Sequence, residues 1–347
     1  MNRIAALSLA AALLPLAGAA AEEPVDWEMA SRIREEGFHG SQVMDTLTQL
    51  TDVIGPRLTG SPQMKQANDW TRQQLEDWGL VNAHLEAFDF GRGWSFDSAS
   101  VQMVAPVHVP LLALPQAWTR GTKGKVKGDV VRIKVESEDD LEKYRGKLKG
   151  KVVLIEDTTP DFRPPGRPSP EDATRRYSEE QLDEISVFEI PGDGRGDWRR
   201  RFRGRRQLQK KIQEFLIEEK ALATLEKSSR KNGIVRVARG GSYEADDPKA
   251  VTGLQVGAEH FQRIERFLDA DRTVTLEIEV DARFHEDSKE AYNTIAEIPG
   301  TDPAGEIVMA GAHMDSWHGG TGATDNAAGC AVMMEAVRIL KALGVQP

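Results

Sequence analysis

Cysteine is nearly absent: Cys330 is the one thiol in 347 residues. An intramolecular disulfide framework and any cysteine-rich zinc site are excluded, so a metal would have to be held by histidine and carboxylates. Long hydrophobic runs are missing as well. The N-terminal run, residues 4–16, has 13 residues, fewer than the roughly 18 to 20 that span a bilayer, and no later stretch comes close. Excess positive charge is also lacking, with 45 Lys plus Arg against 55 Asp plus Glu and a net charge of −10. That balance argues against a dedicated polyanion binder, and no nucleic acid partner is expected.

What remains is the composition of an ordinary globular protein, with 39% apolar and 29% charged residues. The length corresponds to about two domains at about 150 residues each. At the N-terminus Arg3 precedes the apolar run, which closes on Ala17, Gly18, Ala19, Ala20 and Ala21. This is the pattern of a secretory signal peptide over residues 1–21. It predicts an exported protein, periplasmic or secreted, with no integral membrane span after signal removal. No cysteine ends the segment, so lipid anchoring through a modified N-terminal Cys is not available.

Three zones follow. Residues 22–105 read as α/β: Val43, Leu47, Leu50 and Ile54 recur at helical spacing and stop at Gly55 and Pro56. A second amphipathic stretch, residues 63–78, follows the turn residues Gly60, Ser61 and Pro62, and residues 81–90 and 98–104 alternate as strands do. Residues 106–270 differ in texture, with short β-like pieces at 126–135 and 151–155 between Gly-rich and charged turns, and read as an inserted unit. Within it, residues 163–211 are predicted as a mobile excursion, rich in proline at one end and basic at the other. Its run of Arg195, Arg199, Arg200, Arg201, Arg203, Arg205, Arg206, Lys210 and Lys211 reads as a solvated helix face balanced by nearby acids.

The third zone, residues 271–347, carries the chemistry. Residues 306–312 form a short apolar run that predicts a buried parallel-type strand. His313-Met314-Asp315-Ser316-Trp317 follow where it ends, then Gly319, Gly320 and Gly322, then Asp325-Asn326 opening an apolar helix over 327–343. Strand, loop, helix is the layout at which ligands gather in open α/β sheets. In extended chain His313 and Asp315 point to one side, so the carboxylate can orient the imidazole while its free nitrogen binds a metal. Asp325, beside a helix N-terminus, is favoured as an anion, and its two oxygens can serve two cations. Separately, an HxD pair can be a hydrogen-bonded histidine and Asp-Asn a helix cap; it is their joint appearance across a Gly-rich loop that predicts a metal site. His318 reads as a loop residue, Cys330 as an inert buried thiol, and Trp317 as either lining a pocket or packing.

Residues 306–334 resemble the first metal-binding segment of the M28 family of zinc-dependent exopeptidases. Ile54-Gly55-Pro56-Arg57-Leu58-Thr59-Gly60-Ser61 and the helix to Trp78 resemble that family's N-terminal segment, and residues 293–300 the strand before the motif. The inserted zone resembles a protease-associated domain, and Asp315-Ser316-Trp317 the carboxypeptidase Q-like branch. The resemblance implies a three-layer α/β/α peptidase domain with a mixed sheet, incomplete at the C-terminus, plus an inserted mainly-β domain. It implies two Zn2+ per complete site, with His313 as a ligand of one zinc, Asp325 bridging both, Asp315 orienting the histidine, and a cis peptide between Asp325 and Asn326. Peptides would be cleaved near their ends, as by an aminopeptidase or dipeptidase, with water attacking the scissile carbonyl. In the family a general-base Glu and further ligands lie downstream of the helix that ends near Leu343. The chain as written is therefore expected to be an inactive fragment. Two other functions stay open: a non-catalytic binding protein using the inserted domain, and a glutaminyl cyclase-like acyltransferase on the same fold.

Overall fold

The computed structural model describes residues 25–156, 178–186, 195–301 and 305–346. The signal-peptide segment 1–21 and the stretches 163–177 and 187–194 of the excursion lie outside the described residues. The chain divides into two compact units at Ser41/Gln42. In the first, α1 (Trp27–His39) opens on Asp26, whose side chain accepts from the Met29 amide at 2.9 Å as an N-cap.

In the second unit, α2 (Val43–Thr48) runs into a wider helical turn at Gln49–Ile54 and closes on Gly55 at φ +84°, the stop that Gly55 and Pro56 predict. Ser61 then caps α3 (Pro62–Asp77), accepting from the Met64 amide at 3.1 Å with Pro62 in the first turn. The chain continues through β1 (Val81–Asp89), β2 (Gly93–Ala105), β3 (Val109–Pro110), β4 (Ala113–Pro115), β5 (Val126–Ile133) and β6 (Val152–Ile155). After these come α4 (Glu179–Ser186), α5 (Arg195–Glu218), β7 (Ala223–Lys227), β8 (Thr252–Val256), α6 (Ala258–Asp269), β9 (Thr275–His285), β10 (Glu290–Glu297) and α7 (Ala328–Ala342).

These strands make two sheets. β1 and β10 pair antiparallel, with Leu85 opposite Thr294, and α3 lies against them. The other eight form a mixed sheet in the order β3-β2-β9-β5-β6-β7-β8-β4, parallel from β5 to β8 and antiparallel toward both ends. β6 is buried on both faces: Val152 and Leu154 pack with Phe261 and Ile264 of α6, and Val153 packs with Ile212, Phe215 and Leu216 of α5. A strand covered on both sides must be apolar at every position, which is why it reads as a run rather than an alternation. β2 and β9, read from sequence as parts of the flanking zones, pair along their lengths inside this sheet. The sheet is thus continuous across the boundaries read at 105/106 and 270/271.

The basic run lies on α5, and its side chains are described at its end, where Lys210 pairs with Asp247 at 2.7 Å and Lys211 with Glu214 at 3.2 Å. One expectation fails outright. Residues 306–312 do not form a buried strand: Ile307, Val308 and Met309 are 85%, 95% and 88% exposed, and among the described residues nothing pairs with them. An extended segment becomes a strand only when neighbours take up its amides and carbonyls. Among the described residues no helix is long and apolar enough to cross a membrane.

Candidate metal centre

The loop between residue 312 and α7 has little regular structure of its own, and its shape is held by Arg57. This side chain is fully buried. Its guanidinium donates to five backbone carbonyls: Leu50 and Gly55 at 2.7 Å, Met314 and Thr321 at 2.9 Å, and Gly322 at 3.1 Å. Two of these lie in the turn before Arg57 and three in the loop, so one cation ties the two segments together. Burial lowers the Arg57 pKa from its ordinary value, opposed by Cys330 and Asp315; a guanidinium nonetheless stays protonated. The backbones are latched as well, with Arg57 N–H donating to Ser316 Oγ at 3.0 Å and Ser316 N–H to the Arg57 carbonyl at 2.9 Å. Gly322 sits at φ +65°, and a Cβ there would run into Ser316 and the Arg57 guanidinium.

On this scaffold the three residues singled out from sequence come together. Asp315 Oδ1 lies 3.1 Å from His313 Nδ1, and Asp325 Oδ1 lies 3.2 Å from His313 Nε2. A carboxylate can only accept, so Nδ1 donates to Asp315; in the tautomer with its one proton there, the Nε2 lone pair faces Asp325. The site is open, with the Asp325 side chain 77% exposed. Asn326 Nδ2 and Cys330 Sγ each donate to the His313 carbonyl at 3.3 Å, fixing the backbone from the helix side. The Asp325–Asn326 peptide is cis, as the resemblance implied.

Two features escaped the sequence reading. Thr59 Oγ1 donates to Asp315 Oδ2 at 2.8 Å; its motif was visible, but nothing in the spacing announced a contact across 256 positions. His318 is no free loop residue. It is 5% exposed, hydrogen-bonds through Nε2 to the Pro115 carbonyl at 2.8 Å, and stands edge-on to Trp94 and Phe96. Burial lowers its pKa. Trp317 stays 46% exposed. Cys330 is buried, and burial pushes its thiol up to about 11.

The donor chemistry fits zinc. Ligands about 2.0 to 2.1 Å from a tetrahedral ion are about 3.3 Å from one another, close to the 3.2 Å between Nε2 and Oδ1. With a doubly protonated imidazole the same contact is an ion pair. Among the described residues no group of three or more His, Cys, Asp or Glu is placed to hold a metal, so these donors supply two positions of the usual four.

Fold and site together define an α/β protein with a histidine–carboxylate pair on a Gly-rich loop before a helix. The model of peptidase family M28 matches residues 293–347, which hold all three site residues. Carboxypeptidase Q of Mus musculus is 25% identical over 312 residues, covering 90% of this chain and 57% of that protein. The chain thus spans a little over half the length of the curated relatives it matches. A peptidase M28 precursor from Shewanella amazonensis superposes with a TM-score of 0.59 at 24% identity, over 92% of this chain and 64% of the other. A zinc aminopeptidase from Bacillus subtilis superposes at 0.51 and 14% identity, over 86% and 57%. At these identities the two structures establish the shared fold.

Proposed function

We propose that the protein to which this chain belongs is an exported zinc exopeptidase that hydrolyses peptide bonds near peptide termini. In this reading the chain supplies the first metal-binding segment. One observation carries it: His313 Nδ1 is engaged by Asp315 while Nε2 faces Asp325 at 3.2 Å, a pair of lone-pair donors spaced as ligands of one ion. His313 would ligate through Nε2, Asp325 would offer its two oxygens to one or two ions, and Asp315 would hold the imidazole in the required tautomer. Zinc, when bound, supplies a Lewis acid for the scissile carbonyl and a more acidic water. This chain's own residues keep the donors in place: Arg57 holds the loop, and Asn326 and Cys330 hold the His313 carbonyl. Export is supported by Arg3, the apolar run 4–16 and the small residues that close it.

The test is zinc content and dipeptide cleavage by the protein of the complete reading frame, beside its His313→Ala variant. Wild type is expected to carry zinc and cleave, and the variant to lose both. A folded wild type that takes up no zinc would overturn the reading. Zinc uptake without hydrolysis of any dipeptide would favour a binding protein, and cyclisation of N-terminal Gln peptides an acyltransferase.

A further inference from the structure

We infer that Thr59 is a positioning residue of this site, acting through Asp315 to hold the His313 lone pair on Asp325; the inference rests on the zinc reading. The two oxygens of Asp315 have separate partners. Oδ1 accepts a hydrogen bond from Nδ1 of His313 at 3.1 Å, and Oδ2 accepts one from the Thr59 hydroxyl at 2.8 Å. Left with one partner, a partly exposed carboxylate turns about its terminal torsion, which is broad and two-fold. The imidazole it steers would turn with it. A hydroxyl on the second oxygen removes that freedom, because both oxygens are then committed in one plane.

Thr59 is itself built in firmly. The Arg57–Ser316 latch, two residues from Thr59 and one from Asp315, sets the register of the two segments. A turn closes directly behind it, with Ser61 N–H donating to the Leu58 carbonyl at 2.8 Å and Gly60 at φ +77°. Gly60 packs so tightly on Gly93 that a Cβ on Gly93 would run into the Gly60 carbonyl. A β-branched side chain also has few rotamers to choose from. The hydroxyl therefore meets Asp315 already aimed, and α3, capped from the same turn, braces it. Sequence distance hides this arrangement, since Thr59 and Asp315 come from opposite ends of the unit.

The experiment is a competition titration of zinc against a fluorescent chelator for wild type, Thr59→Val, Thr59→Ser and His313→Ala, with melting of the metal-free proteins alongside. Thr59→Val keeps the shape and removes the hydroxyl. It is expected to weaken zinc binding about tenfold, the lower end of what partners of metal ligands contribute, with the metal-free melting temperature unchanged. Thr59→Ser restores the donor and is expected within about threefold of wild type. Thr59→Val binding like wild type, or Ser and Val weakened alike, would overturn this inference alone. A wild type that binds no zinc would overturn the zinc reading and this inference with it.

Discussion

Replacing Arg57 by methionine separates the clamp from everything else in the site. Methionine keeps an unbranched stem of similar reach but has no donor, so five carbonyls that now share one guanidinium lose their partner. Each hydrogen bond from a charged donor contributes about 1.5 to 3 kcal/mol, so the gross loss is about 7 to 15. Against it stands the desolvation of a buried cation, several kcal/mol, which the variant no longer bears. The difference comes to about 4 kcal/mol, in line with breaking a buried charged pair from one side. Urea unfolding followed by tryptophan fluorescence should show a loss of that size. Hydrogen exchange should rise first in the turn at 50–57 and the loop at 314–322, the two segments the guanidinium joins. Arg57→Lys should lie in between, because an ammonium has three donors and no planar fork. If Arg57→Met stays within about 1 kcal/mol of wild type, the carbonyls find other partners and the clamp argument is wrong.

His318 should make stability depend on acid. Its Nε2–H donates to the Pro115 carbonyl, while Nδ1 is buried without a partner among the described residues, so a second proton would have nowhere to go. Burial depresses the folded pKa below 6.5; below that pH the unfolded chain takes up a proton that the folded chain resists. The contribution is complete above pH 6.5 and is lost as pH falls toward the depressed value. Melting temperatures between about pH 7 and 5 should fall less steeply in His318→Gln than in wild type; parallel curves would contradict the assignment. Cys330, with its thiol pushed up to about 11, should be alkylated by iodoacetamide at pH 8 about 100-fold more slowly than an ordinary thiol. Labelling at the free-thiol rate would show that the helix opens around it.

How much could be read in advance depended on how local each signal was. The stop after α2 and the cap of α3 depend on neighbours a few positions away, and Gly55, Ser61 and Pro62 mark them plainly. The grouping of His313, Asp315 and Asp325 was legible for the same reason, since they span only 13 residues of loop and helix start. Residues 306–312 misled because apolarity reports a need for burial, whereas a strand also requires partner strands, and no neighbours in sequence reveal those. Residues 98–104 were recognisable as a strand, but the pairing of β2 with β9 joins segments about 180 positions apart. Charge gave no hint of Arg57 either, because an arginine satisfied entirely by carbonyls has no acidic partner to look for.

The roles of Arg57 and His318 share a physical cause. A loop able to bring an imidazole and a carboxylate within 3.2 Å spends its residues on glycine and on donors aimed at a ligand, and has few left to hold its own backbone. Its stiffness must come from outside. One side supplies it through the Arg57 guanidinium and the Ser316 latch. The eight-stranded sheet supplies it on the other, where His318 reaches the Pro115 carbonyl at the end of β4 and packs against Trp94 and Phe96 of β2. Gly319 lies against Val237 so closely that a Cβ would clash. The eight-stranded sheet is therefore part of what shapes this loop, and a change at Pro115 or Trp94 alters the same backbone that carries His313 and Asp315. Shielding such a loop with bulky apolar residues would also stiffen it, but would close the donors to solvent and substrate. Anchoring it at two ends leaves the middle open, with the Asp325 side chain 77% exposed.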